Sequence, residues 1–172
     1  MDPRLAALLD RLQATRFADL SGSEAYTVIR ISGALLTEAA AAFAASSSAV
    51  RDVTIRPRDA NHIDVQLKLA RPAFLPPITL TLEIERQPQL PDQPELVLRF
   101  MGTGGLMRLA GPAIGSSGAL PPGIRLAGDR LHVDIGHLLQ SQNRADLLDF
   151  AEQLQVTSEE GRLAVALQLR VR

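Results

Sequence analysis

Three segments of this chain alternate aliphatic residues with polar or small ones: Ile63-Asp64-Val65-Gln66-Leu67-Lys68-Leu69, Ile78-Thr79-Leu80-Thr81-Leu82-Glu83-Ile84-Glu85, and Leu163-Ala164-Val165-Ala166-Leu167-Gln168-Leu169-Arg170-Val171. A period of two places successive side chains on opposite faces of a strand. Each segment is therefore a strand with one Leu/Ile/Val face that has to be covered and one wet face. This constraint governs the fold, because a helix of the same residues would scatter its aliphatic side chains around the axis.

The remaining chain supplies further strands and a few helices. Leu5, Leu8, Leu9 and Leu12 fall at helical spacing, so residues 3–16 are expected to form an amphipathic helix within an N-terminal segment 1–20. After Ser21-Gly22-Ser23, the run Tyr26-Thr27-Val28-Ile29-Arg30-Ile31 has the β-branched content of a strand, and Ser32 offers an N-cap to an Ala/Leu-rich helix over 33–45. Val53 and Ile55 alternate in another strand that ends at a turn over Pro57 to Asn61. Leu96 to Phe100 follows a proline-rich turn, and Ile124 to Ile135 reads as a hairpin about Gly128-Asp129. Leu138, Leu139, Leu147, Leu148, Ala151 and Leu154 predict a helix over much of 137–154. Consecutive strands joined by short turns imply an antiparallel meander. The expectation is one α+β domain spanning 1–172, a curled antiparallel sheet of about six or seven strands wrapped around or packed on helices.

Composition removes several function classes. Eighteen basic residues against nineteen acidic ones give a net charge of −1, and aromatic residues are 3% of the chain, so neither the electrostatic footprint nor the stacking platforms of nucleic-acid binding are present. Without cysteine, disulfides, thiolate metal sites and thiol chemistry are excluded. No apolar run reaches the length of a membrane-spanning helix, and the start Met1-Asp2-Pro3-Arg4 does not read as a secretory signal. A cytoplasmic location is expected, an exported form with its leader removed being the other reading.

Candidate chemistry is sparse. His132, Asp134 and His137 have metal-ligand character, but on a strand the first two share the polar face and His137 lies beyond the strand end. Gly115-Ser116-Ser117-Gly118 does not form a nucleophile elbow, and Gly102-Thr103-Gly104-Gly105 lacks the Lys-Ser/Thr ending of a phosphate loop. Asp52, Asp64, Glu83 and Glu85 occupy the wet phase of their strands. No catalytic residue, metal or cofactor is expected.

The order of elements from Tyr26 onward resembles the bacterial single-domain members of the tubular lipid-binding superfamily, relatives of the bactericidal/permeability-increasing proteins. The resemblance is carried by the strand-to-helix passage Thr27-Val28-Ile29-Arg30-Ile31-Ser32 to Ala45, by the long alternating strands, and by Leu120-Pro121-Pro122-Gly123-Ile124 running into Gly128-Asp129-Arg130-Leu131-His132-Val133-Asp134-Ile135. It implies a twisted sheet around a helix with acyl chains in the apolar seam between them. The aliphatic phase would then line the site: Ile63, Val65, Leu67, Leu69, Ile78, Leu80, Leu82, Ile84, Leu163, Val165, Leu167 and Leu169, with Leu36 and Phe43 opposite. Each buried CH₂ contributes about 0.8 kcal/mol, so such a seam holds a lipid without a hydrogen bond. The function expected is non-enzymatic binding of a lipid or other apolar small molecule. The alternative is an interaction scaffold or assembly subunit with a solid core, meeting a protein partner or a second copy of itself.

Overall fold

The computed structural model describes residues 14–15, 18–45, 50–70, 76–102, 120, 122–141 and 147–171. The helix expected over 3–16 lies almost wholly outside these residues, as do the Gly-rich stretch 103–119 and the connection 71–75.

Nine strands are described, in two antiparallel sheets. The larger has six: β2 (Val50–Arg58), β3 (His62–Leu69), β4 (Ile78–Arg86), β5 (Glu95–Met101), β7 (Arg130–Asp134) and β6 (Ile124–Ala127), in that spatial order. The smaller has three, in the order β1 (Glu24–Ser32), β9 (Arg162–Arg170), β8 (Ala151–Glu159). All three alternating segments are strands, and the antiparallel meander expected from short turns is observed over β2 to β5. Sharp turns are made where the backbone takes positive φ, at Ala60 and Asn61 between β2 and β3, at Gly128 between β6 and β7, and at Gly161 between β8 and β9.

Register explains the core. Opposite residues in an antiparallel pair share a face, and the pairs Ile55 with Val65, Val65 with Leu80, Ile63 with Leu82, and Leu82 with Phe100 carry one aliphatic face across four strands. Leu98 with Leu131, and Leu131 with Leu126, extend it through β7 to β6. Ile63, Leu82, Ile84, Leu96 and Leu98 form the buried cluster on this face, joined by Val156 of β8, and Leu163 and Val165 of β9 pack against it. The layer that covers the large sheet at its centre is thus the small sheet.

Helices contribute less than expected. α1 (Gly33–Ala44) packs chiefly on β2, at the edge of the large sheet, and none of its described side chains belongs to the cluster or to the residues packed on it. The physical reason is visible in Thr37, whose hydroxyl accepts from the Ile55 amide at 2.9 Å and donates to the Ile55 carbonyl at 3.2 Å. The helix satisfies the open backbone edge of β2, and its position is fixed there rather than beneath the sheet. At its start a Cβ on Gly33 would lie 3.0 Å from Pro57 Cδ and 3.1 Å from the Ile55 carbonyl oxygen.

The helix expected over 137–154 is corrected. Its residues divide into α2 (Ile135–Ser141), α3 (Leu147–Phe150) and strand β8, which begins at Ala151. Leu147, Leu148, Ala151 and Leu154 do fall at helical spacing, but Leu154, Val156 and Ser158 also alternate, and pairing with the nine-residue β9 decides in favour of the strand. Pro57, placed in a turn by the sequence, is instead a strand residue beside Arg58, and the turn proper is Asp59-Ala60-Asn61.

Candidate functional site

The two sheets meet at one end. Beside the β2–β3 turn, the Asn61 side-chain oxygen accepts from the Ser158 amide at 3.1 Å, the Ser158 hydroxyl donates to the His62 carbonyl at 2.8 Å, and the Asp59 carboxylate accepts from the Glu160 amide at 2.9 Å. The Gly161 amide donates to the Pro57 carbonyl at 2.9 Å. From this junction β3 and β9 both run outward; along β3 the first aliphatic residue, Ile63, is enclosed and those farther along are half-open, whereas along β9 all four are half-open, Leu163 beside the junction included.

Ile63, Leu80, Leu82 and Ile84 are buried, whereas Val65, Leu67, Leu69, Ile78, Leu163, Val165, Leu167 and Leu169 are half-buried. Of the residues expected to line a seam, Ile63, Leu82, Ile84, Val65, Leu163 and Val165 are brought together in one apolar cluster. Leu36 is half-buried on α1 and is not among the residues of the cluster or those packed on it; the Phe43 side chain lies outside the described residues. A residue missed by the sequence reading is Ile29, which shares the face of Val165 through the β1–β9 register and is 54% exposed. Its alternation with Arg30 was the available signal.

The opposite face of the large sheet is ionic. Glu83 accepts from Arg99 at 2.6 Å, Glu85 accepts from Arg130 at 2.7 and 2.9 Å, and Glu95 is reached by Arg125 at 2.6 Å, Arg86 at 2.8 Å and His132 at 3.1 Å. The Arg130 hydrogen bonds hold the Glu85 carboxyl below the ordinary carboxylate range. Burial works against ionisation of Glu95, but the hydrogen bonds and charges of Arg125 and His132 outweigh it and its value is also lowered. These acids stand as carboxylates in a ladder of arginine pairs. Asp64 accepts from the Thr81 hydroxyl at 2.8 Å, and Asp52 pairs with Lys68 at 3.2 Å.

His132, Asp134 and His137 do not converge. His132 turns to Glu95, while the Asp134 carboxylate accepts from the His137 amide at 2.9 Å and caps the first turn of α2. Among the described residues no three His, Asp or Glu side chains group as metal ligands, and no helix is long and apolar enough to cross a membrane.

A separate open cleft of about 540 Å³ lies where β1 passes into α1, floored by Gly33, Ala34, Ile55 and Pro57 and rimmed by Arg56, Arg58 and Glu160. Its lining shares Ile55 with the residues packed on the aliphatic cluster, and Arg58 is drawn to Glu160 at 3.4 Å.

Comparison with protein-family models, with curated proteins and with solved structures gave no match to this chain.

Proposed function

We propose that this chain is a non-enzymatic binder of a lipid acyl chain or comparable apolar molecule, taken up in the aliphatic seam between the two sheets, in the manner of the tubular lipid-binding proteins. The observation that carries the reading is the burial gradient along β3 and β4, faced by an aliphatic row on β9 that is half-open throughout. The aliphatic phase is closed at the sheet junction around Ile63 and Leu82, and half-open at Leu67, Leu69, Ile78, Leu167 and Leu169. A methylene chain laid along those residues removes apolar area from water on both partners at about 25 cal/mol per Å², with no directional group required. The carboxylates of the outer face are engaged by arginines and lie on the far side of the sheet, which agrees with binding rather than acid–base chemistry.

Native mass spectrometry of the chain purified without detergent tests this directly. Adducts of lipid mass that are released on unfolding are expected. A clean apo mass, together with no uptake of a fluorescent fatty acid added in solution, would overturn the proposal.

A further inference from the structure

The two sheets have four edges, and three are managed. Along β8 the outward amides of Val156, Ser158 and Glu160 are taken by the Gln87, Asn61 and Asp59 side chains. Along β2 the Thr37 hydroxyl and α1 cover the backbone. β6 is four residues long, and shortness itself protects an edge. β1 is nine residues long, pairs with β9 alone among the described strands, and has seven exposed positions. It contains no Pro, Gly or Lys, the usual devices that blunt an edge. Tyr26 is 71% exposed and Ile29 54%.

The ladder parity says which groups are offered. The Val171 amide donates to the Ser23 carbonyl and the Gly33 amide to the Gly161 carbonyl. Counting in twos between these bonds, Ala25, Thr27, Ile29 and Ile31 exchange hydrogen bonds with β9. The amides and carbonyls of Glu24, Tyr26, Val28 and Arg30 consequently point away from the sheet.

We infer that two copies of this chain associate through antiparallel pairing of β1 with β1 about a two-fold axis at Thr27, making one continuous six-stranded sheet. The strand is complementary to itself in this register. Glu24 stands opposite the partner's Arg30 at both ends, Tyr26 opposite the partner's Val28, and every one of these is an outward-pointing position, as a two-fold ladder requires. Arg30 has no ion-pair partner among the described residues of its own chain, whereas Glu24 already accepts from Arg170 and has carboxylate capacity to share. Charges directly opposite across a pair favour one register over its neighbours two residues away, which would set Glu24 against Ser32 or Val28 instead. Extended-strand addition to a free edge is a common mode of association, and here the added strand is the same one.

Sedimentation equilibrium of the full chain tests this. A concentration-dependent dimer is expected. Val28→Pro removes an outward donor without breaking the β1–β9 ladder, so it should fold, by circular dichroism, and sediment as a monomer. Arg30→Glu sets acid against acid and Glu24→Arg base against base, so each alone should weaken the dimer by about tenfold or more. Mixed together they should form a heterodimer tighter than either homodimer, because each chain then meets its opposite charge at both ends. A monomer at all concentrations up to about 100 μM would overturn the inference. So would a dimer indifferent to these substitutions, or a mixture no tighter than its components. The mixing experiment decides even where the proline variant fails to fold.

Discussion

The Gln87 carboxamide and the Val156 backbone form a closed pair: the side-chain nitrogen donates to the Val156 carbonyl at 2.7 Å and the side-chain oxygen accepts from the Val156 amide at 2.8 Å. One side chain thereby stands in for the strand that β8 lacks on its outer side, and it does so from the end of β4, linking the small sheet to the large one. Replacing Gln87 by Ala leaves a buried residue, Val156, with both backbone groups unpaired. The expected loss is about 1–3 kcal/mol in denaturant-derived stability. Gln87→Glu keeps the acceptor but loses the donor, and it should also be less stable than the parent. Equal stability of all three chains would show that the pair does not hold the sheets together.

Thr37 plays the same part for β2. Thr37→Val is nearly isosteric and removes both hydrogen bonds to Ile55, so it should lower stability by about 1–2 kcal/mol, while Thr37→Ser should retain most of it. Urea unfolding of the two variants side by side separates the lost hydroxyl from the lost methyl group.

Gly33 is held at the crossing of β1, α1 and β2. Its amide donates to the Gly161 carbonyl at 2.9 Å, and an added Cβ would press on Pro57 and on the Ile55 carbonyl. Alanine normally stabilises a helical position relative to glycine, by about 0.5–1 kcal/mol. Here the sign should reverse, because the atoms in the way are a buried ring and backbone, and thermal melting of Gly33→Ala should show a lower midpoint.

The strands with strict alternation were legible to within a residue or so, since Ile63–Leu69, Ile78–Glu85 and Leu163–Val171 reappear as β3, β4 and β9. So was the aliphatic face they share. β8 was not, because Leu147 to Leu154 satisfies a helical period and the evidence for a strand is the distant partner β9. The edge caps were equally hidden: Thr37 reaches Ile55 across 18 positions, Gln87 reaches Val156 across 69 and Asn61 reaches Ser158 across 97. Polar residues in such roles have no local pattern. The position of α1 follows from one of these caps, which is why its placement beside β2 rather than inside the seam could not be read from its alanine content.

Acid should weaken the molecule through the outer face. The Glu85 carboxyl is lowered first by its hydrogen bonds from Arg130, and Glu95 by Arg125 and His132 acting against burial, so both have folded values below the ordinary 4.5. A depressed carboxyl contributes stability that is present above its unfolded value and is lost as pH falls through the folded one. Unfolding free energy should accordingly be flat on this account down to about pH 5 and decline below about pH 4.5. Glu95→Gln and Glu85→Gln should each be less stable than the parent near neutrality and show a shallower acid decline. Parallel acid curves for parent and variants would remove these pairs from the account.

The seam can be separated from the core by choosing residues on either side of its exposure gradient. Leu82 is 4% exposed in the buried cluster, and Leu82→Ala should cost about 2–5 kcal/mol whatever the seam holds. Leu67 and Leu167 are half-buried at the open end, on strands β3 and β9 that belong to different sheets. Asp at either position places a charge where an acyl chain would lie, yet leaves the charge access to water, so the structural penalty should be smaller than at Leu82. A binder should lose fluorescent fatty-acid uptake about tenfold or more in Leu67→Asp and Leu167→Asp, since the ligand would have to desolvate the new carboxylate. Leu82→Ala should retain uptake at temperatures where it remains folded. If uptake instead tracks stability across the three variants, fatty acid is reporting on unfolding and the seam is a packed core.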